Sequence, residues 1–359
     1  KGRYLGSGWV NDHSKIRVRV ISRNANDTFD EAFFRRRVRY ALDYRKTVMG
    51  PIDYRCCRLI FGEADQFPGL TVDRFENVLV TQVLSLGMER RKDMVYRALV
   101  ELLREDGETI DAIYERNDVA IRALEGLEQG KGFYPMKGLK TDLSGHVTIT
   151  ENGIKYDVDY IEGQKTGFFL DQKYNRQAAA RLARGRRVLD CFTHTGAFAL
   201  NAAAAGAQQV TAVDVSAFAL ELAAENGRRN GLTNLDYKCA DVFDLLTEMA
   251  REKKCGYEYI ILDPPAFTKS RATAKNAYHG YKEINMKAMR LLPRGGYLAT
   301  CSCSHFMTDE MFRRMLQEAA LDAGVTLRQI EARQQAPDHP ILPGVPETDY
   351  LKFYLLQVV

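Results

Sequence analysis

The sequence has no apolar run near the roughly 18 residues that a membrane span needs, and no charged-then-apolar leader of the secretory type opens it. Both absences lead us to expect a cytosolic (cytoplasmic) protein. Cysteine is sparse and unpatterned: Cys56, Cys57, Cys191, Cys239, Cys255, Cys301 and Cys303 are odd in number and lack C-x-x-C spacing. That argues against structural disulfides and structural metal. No internal repeat or low-complexity tract occurs. There is also no Met at the start, where Lys1-Gly2-Arg3 runs directly into strand-like sequence, so the intact protein is expected to begin earlier.

What is present is 359 residues, enough for two or three domains that each bury a core. The formal net charge is only +4, yet residues 1–50 carry twelve Lys/Arg against five Asp/Glu, a local excess of +7. A basic strand, Ile16-Arg17-Val18-Arg19-Val20, and the basic stretch from Phe33 to Lys46 suit contacts with phosphates. A solvated helix face is the equally weighted alternative.

Residues 1 to about 24 alternate like strands, and Asp30 to Val48 reads as a helix with acidic residues in its first turn. From Cys57 the pattern is β-rich, with strands at Arg58–Phe61, Leu70–Asp73 and Val78–Val83, a helical stretch at Glu89–Arg104, and a hairpin turning at Glu151-Asn152-Gly153. Residues of about 50–160 therefore form an α+β region without evident chemistry. After Tyr174, strands and helices alternate: strands at Arg187–Cys191, Val210–Asp214, Leu235–Lys238, Tyr259–Leu262 and Tyr297–Ser302. This rhythm predicts an α/β, doubly wound, mostly parallel sheet with ligands at the carboxyl ends of its strands.

The first of those strands ends at Asp190 and turns into a helix through Cys191-Phe192-Thr193-His194-Thr195-Gly196. One glycine, where a dinucleotide fold uses three, argues for a cofactor without a diphosphate. Asp214, at the end of the second strand, suits ribose hydroxyls; Asp241, after the third, suits an adenine edge. Ribose and adenine without diphosphate describe S-adenosylmethionine. A lone strand-end Asp is more often a helix cap, but three on successive strands are harder to dismiss.

The fourth strand delivers Asp263-Pro264-Pro265-Ala266-Phe267. The prolines stop the strand and hold Asp263 at its tip, and Phe267 is placed to stack on a base. The fifth ends in Cys301-Ser302-Cys303-Ser304-His305. Cytosine C5 is a poor nucleophile until a thiolate adds at C6, and a carboxyl group at N3 stabilises the adduct. Cys303 is the candidate nucleophile and Asp263 its N3 partner, with Cys301 the alternative nucleophile. Against this stands the commoner fate of a strand cysteine, a small core hydrophobe.

These residues resemble the RlmI-like family of 23S ribosomal RNA 5-methylcytosine methyltransferases, over essentially the whole chain. The resemblance rests on Phe67-Pro-Gly-Leu-Thr-Val-Asp-Arg74, Tyr114-Glu-Arg-Asn-Asp-Val-Ala-Ile-Arg122, Gly167-Phe-Phe-Leu-Asp-Gln172, Asp263-Pro-Pro265, Gly280-Tyr-Lys-Glu-Ile-Asn285, Ser302-Cys-Ser304 and Ala336-Pro-Asp-His-Pro340. It implies a partial N-terminal β-rich PUA module binding RNA (1–28), a helical connector (29–50), a central α+β domain (51–163) and a C-terminal Rossmann-like class I methyltransferase domain (164–359). It further implies a cofactor pocket of Phe168, Asp171, Gln172, Arg176, Asp190, Phe192, Gly196, Asp214, Asp241 and Asp263, with the motif cysteine at Cys303. The position of a second, product-releasing cysteine found in many RNA 5-methylcytosine enzymes is occupied by Ala266, leaving water or a side chain such as His305 for that step. The implied partner is 23S ribosomal RNA; no membrane is implied, and homodimerisation stays open. Rival readings are methylation of guanine N7 or an exocyclic amine, which need no thiolate, and a non-catalytic RNA-binding assembly factor. An NAD-dependent oxidoreductase is opposed by the missing glycines.

Overall fold

The computed structural model describes residues 2–252, 256–268 and 273–359; Cys255 lies outside them. The chain divides into two compact units. The first comprises Lys1–Glu151, Asp157–Asp171 and Pro337–Thr348; the second comprises Asn152–Tyr156, Gln172–Ala336 and Asp349–Val359. The segment Pro337–Thr348 thus belongs to the first unit although it follows most of the second in sequence.

In the first unit, β1 (Ser7–Val10) and β2 (Val18–Ser22) form an antiparallel ribbon. Helix α1 (Glu31–Val48) begins where the Asp30 side chain accepts the Phe33 N–H, which satisfies one of the first-turn donors. Its inner face, Phe34, Val38, Ala41, Leu42 and Arg45, repeats at helical spacing and is buried. A five-stranded sheet follows, built from β3 (Cys56–Phe61), β4 (Leu70–Phe75) and β5 (Val78–Val83) as an antiparallel meander. A short turn of helix α2 (Leu86–Glu89) and α3 (Lys92–Glu105) then cross over to β6 (Ala112–Arg116), parallel to β5, with β7 (Lys131–Phe133) antiparallel at the edge. The hairpin β8 (His146–Glu151) and β9 (Ile154–Asp159) turns at Asn152 and Gly153, both at positive φ, the turn its Asn-Gly pair predicts.

The basic charge of α1 is largely consumed inside this unit. Arg35 pairs with Glu101 and Glu105 of α3, Arg36 with Asp27, and both Arg39 and Lys46 with Asp106. Arg45 is fully buried, bidentate to Asp65 at 2.5 and 2.7 Å, and donates to the carbonyls of Arg58 and Asp338. For these residues internal ion pairs take the place of both the solvated face and the phosphate contacts weighed from the sequence.

The second unit opens with α4 (Lys173–Ala180), then β10 (Arg187–Cys191), α5 (Ala197–Ala204), β11 (Gln209–Asp214), α6 (Ala217–Arg229), β12 (Leu235–Cys239), α7 (Val242–Glu252), β13 (Tyr259–Leu262), α8 (Ala274–Leu291), β14 (Tyr297–Ser302), α9 (Asp309–Ala323), β15 (Leu327–Arg333) and β16 (Lys352–Val358). Among the described residues these strands make one seven-stranded sheet, ordered β12-β11-β10-β13-β14-β16-β15. The first five are parallel, as the alternation predicts; β16 runs antiparallel to both its neighbours. Apolar side chains pack on both faces: Phe198, Ala199, Ala202 and Phe353 on one, Tyr281, Ile284, Met289, Phe312 and Met315 on the other. Burial on both faces is what the near-continuous apolar run Tyr259–Leu262 requires. No helix among the described residues is long and apolar enough to cross a membrane.

Candidate active site

The sheet is wound outward from β10, first through β11 and β12 on one side and then through β13 and β14 on the other. A ligand crevice is expected at the carboxyl ends of the strands where that direction reverses. There β10 places Asp190, which is fully buried. Burial foremost, with Asp263 and Asp214 adding repulsion, pushes its carboxyl up to about 7, against a hydrogen bond from Thr193. Thr193 Oγ1 donates to Oδ2 at 2.5 Å and the Ala199 N–H also favours the carboxylate, while Oδ1 has no donor within 3.5 Å among the described residues. A buried acceptor without a donor is costly in the isolated protein and is an invitation to a ligand.

The loop after β10 is bent sharply, with Phe192, His194 and Gly196 at φ of 63°, 52° and 85°. Its shape is fixed by Asp214: His194 N–H donates to Oδ2 and Ser216 N–H to Oδ1, both at 2.9 Å. Burial holds the His194 imidazole below its ordinary range. The sequence suggests that Gly196 lets the backbone approach a ligand. In the fold, an added Cβ would sit 2.5 Å from Leu200 Cδ1 and 2.9 Å from Ala223 Cβ, so the glycine serves the turn and the contact of α5 with α6. Asp241 is exposed, and its Oδ1 accepts the N–H groups of Phe243 and Asp244, the capping role weighed for it at the start of α7.

The Asp263 turn follows β13, with the Asp263 N–H reaching Cys191 O at 3.4 Å. Asp263 Oδ1 accepts Gln172 Nε2 at 3.1 Å. Gln172 Oε1 in turn accepts Asn175 Nδ2 at 2.7 Å, and Asn175 Oδ1 accepts Arg333 Nε at 3.0 Å. A guanidinium can only donate, so Arg333 sets the orientation of both amides and aims a donor at Asp263. Phe267 packs with Tyr281, Phe243 and Phe192 at centroid distances of 4.6, 5.7 and 6.4 Å. It belongs to the protein's own aromatic cluster and remains half-buried.

The two cysteines at the end of β14 have different surroundings. Cys301 is fully buried beside Phe198 and Phe353, and its thiol is pushed well above the usual range by burial and then by Asp263. Cys303 lies one residue past the strand, half-buried, where the chain leaves the sheet. The Ser304 N–H donates to Ser302 Oγ at 3.4 Å, Ser304 Oγ donates to Thr268 O at 3.1 Å, and Lys352 Nζ donates to Ser304 O at 2.7 Å. The contact with Thr268 ties the Cys303 segment to the loop that carries Asp263. His305 is exposed against Phe306.

The second unit therefore brings together Gln172, Asp190, Phe192, Asp214, Asp263, Cys301 and Cys303. Arg176, buried on α4, lies with its guanidinium 5.9 Å from the Phe198 ring centroid. Phe168 and Asp171 are buried residues of the first unit. Sequence reasoning missed Asn175, Arg333 and Lys352. Only the last left a signal, a single cation opening the apolar run Lys352-Phe-Tyr-Leu-Leu356.

A family model for S-adenosylmethionine-dependent methyltransferases matches residues 138–356. The chain is 41% identical to "Ribosomal RNA large subunit methyltransferase I" of Pseudoalteromonas translucida, covering 100% of this chain and 88% of that protein. It is 43% identical to the protein of the same name from Aeromonas hydrophila, covering 98% and 87%. Its fold is similar to that of SMU.776, solved in complex with SAH, with a TM-score of 0.83, 22% identity, and coverage of 99% of this chain and 88% of that one.

Proposed function

The chain belongs to the S-adenosylmethionine-dependent methyltransferase family, and on that footing we propose that it methylates carbon 5 of a cytosine in large-subunit (23S) ribosomal RNA through Cys303. The observation that carries this reading is the pairing of a half-buried thiol at the end of β14 with a carboxyl group at the end of β13, their loops joined by the Ser304–Thr268 hydrogen bond. The relatives' name supports the ribosomal RNA substrate and, with it, a cytoplasmic location.

The residues present fit the cofactor. The buried Asp190 Oδ1 without a hydrogen-bond donor in reach and the tight loop through Phe192 and Gly196, with one glycine where a diphosphate site uses three, suit a cofactor without a diphosphate. Asp214 and Asp241 would hold the ribose and adenine, and Gln172 and Arg176 the methionine end. Bound S-adenosylmethionine supplies an electrophilic methyl group to the activated carbon. Cys303 thiolate donates its electron pair to C6, forming the S–C6 bond, and the C5–C6 π electrons move towards C5 while Asp263 gives a proton to N3. After methylation, loss of the C5 proton restores the C5–C6 double bond and expels the thiolate, and N3 returns its proton to Asp263. Ala266 stands where a second cysteine would assist release, so that proton goes to water or to a side chain such as His305.

The β1–β2 ribbon, with exposed Lys15, Arg17 and Arg23, is proposed as part of a PUA module that grips RNA phosphates. It heads the domain order 1–28, 29–50, 51–163 and 164–359. The target base must leave its stack for the thiolate to approach C6 perpendicular to the ring.

The test is incubation of the protein, Cys303→Ala and Cys301→Ala with labelled S-adenosylmethionine and unmodified large-subunit RNA, followed by nucleoside analysis. 5-Methylcytidine lost only in Cys303→Ala supports the proposal. Methylation that survives loss of both thiols moves the target to an amine or guanine N7.

A further inference from the structure

Strand β16 is buried along Leu351–Leu356, and the one charged side chain in that run is Lys352. It pairs in register with Ser302, the residue before Cys303. Its ammonium donates to Ser304 O at 2.7 Å and Tyr350 O at 2.8 Å. Among the described residues no carboxylate lies within ion-pair distance of it. A buried cation satisfied only by carbonyls is expensive to keep, and a Leu or Met at this position would extend the apolar strand without that cost. Structural need alone therefore explains it poorly. Its location explains it better, because it bonds the carbonyl immediately after Cys303 and faces the strand residue immediately before it.

We infer that Lys352 is a positioning residue for Cys303: it clamps the Ser302-Cys303-Ser304 segment and supplies the positive charge that favours the Cys303 thiolate. The inference rests on the reading of Cys303 as nucleophile. The groups around the pair are few. Asp349 precedes β16 and Asp309 opens α9, and both act on Lys352 together with Cys303; burial, the larger effect, draws the ammonium down to about 8. Cys301 of β14 and Tyr281 of α8 also interact electrostatically with Cys303, and Asp263 of the β13 turn acts on both of them. Lys352 is the cation among these groups, and its charge favours the Cys303 thiolate.

The test is the pH dependence of Cys303 alkylation by iodoacetamide in the full chain without RNA or cofactor, read by mass spectrometry of the Cys303 peptide. Lys352→Met should move the alkylation midpoint upward and slow the reaction near neutral pH on the order of tenfold, the change in thiolate fraction for about one pH unit. Lys352→Arg, which keeps a cation, should stay near the wild-type midpoint. A role confined to packing would lower the melting temperature of Lys352→Met and leave the midpoint in place, and that result overturns the inference. Should Lys352→Met not fold, Lys352→Gln is read by the same criterion, and a wild-type midpoint there likewise overturns it. Failure of the methylation reading shows separately, as 5-methylcytidine formed by Cys303→Ala, because alkylation reports the thiol whatever the base modified.

Discussion

Gln172 Nε2 donates to Asp263 Oδ1 at 3.1 Å, and the direction of that bond is decided by Arg333, two amides away. Asp263 is thereby presented to the crevice in one orientation, by a relay whose polarity cannot reverse while a guanidinium stands at its head.

Asn175→Asp should break that relay. An aspartate accepts from Arg333 but cannot donate to Gln172 Oε1, so the Gln172 amide has no reason to keep its donor on Asp263. Leaving one buried polar group unmatched costs about 1–3 kcal/mol, so the melting temperature should fall by several degrees, and kcat should fall on the order of tenfold or more. Steady-state methylation with a parallel thermal melt checks this; an unchanged kcat means the relay does not orient Asp263.

Asp190 makes the stability of the protein depend on pH. Its carboxyl has a folded value of about 7, raised by burial above the ordinary 3.8. Its contribution is therefore fully present below the unfolded value and is lost as pH rises through about 7. Asp190→Asn, which cannot ionise, should gain melting temperature relative to wild type between pH 5 and pH 8, while binding S-adenosylmethionine more weakly. Melts of the ligand-free proteins across that range decide it, and a pH-independent difference contradicts the raised value.

Buried Cys301 and half-buried Cys303 should separate chemically as well as genetically. Near neutral pH, iodoacetamide should label Cys303 and spare Cys301, whose thiol burial keeps protonated and covered. Peptide mapping after brief alkylation shows which is modified. Preferential labelling of Cys301 would transfer the nucleophile's role to it.

The pair Arg45–Asp65 carries stability in the first unit. Asp65→Ala strands a fully buried guanidinium and should cost about 3–5 kcal/mol. Arg35→Ala removes an exposed pairing with Glu101 and Glu105, worth no more than about 1 kcal/mol. Denaturant titration of both variants tests the contrast.

The parallel half of the methyltransferase sheet was legible because β10, β11 and β13 are apolar segments ending in Asp, Pro or Gly-containing turns and β14 is an apolar segment opened by the Pro293-Arg-Gly-Gly296 turn. The hairpin at Asn152-Gly153 was legible for the same local reason. Strand β15 was not, because its consecutive exposed positions Arg328, Gln329 and Ile330 erase any alternation. Helix α4 was hidden too: it is eight residues long, and Gln172 caps it without a side-chain hydrogen bond. The basic face of α1 was visible as charge but not as ion pairs, since Glu101, Glu105 and Asp106 lie more than sixty residues away in sequence. The relay from Arg333 to Asp263 joins positions 333, 175, 172 and 263, and no local pattern marks such a set.

Strand β16 sits between β14 and β15 although it is made some fifty residues after β14 ends. At synthesis rates of about 5–20 residues per second, β14 waits roughly 3–10 s as an open sheet edge. During that interval the Cys303 segment lacks both Lys352 and the strand that braces it. The emerging chain therefore carries an unpartnered apolar strand before it has a finished catalytic centre, and the arrival of one late segment closes the edge and assembles the thiol's surroundings together.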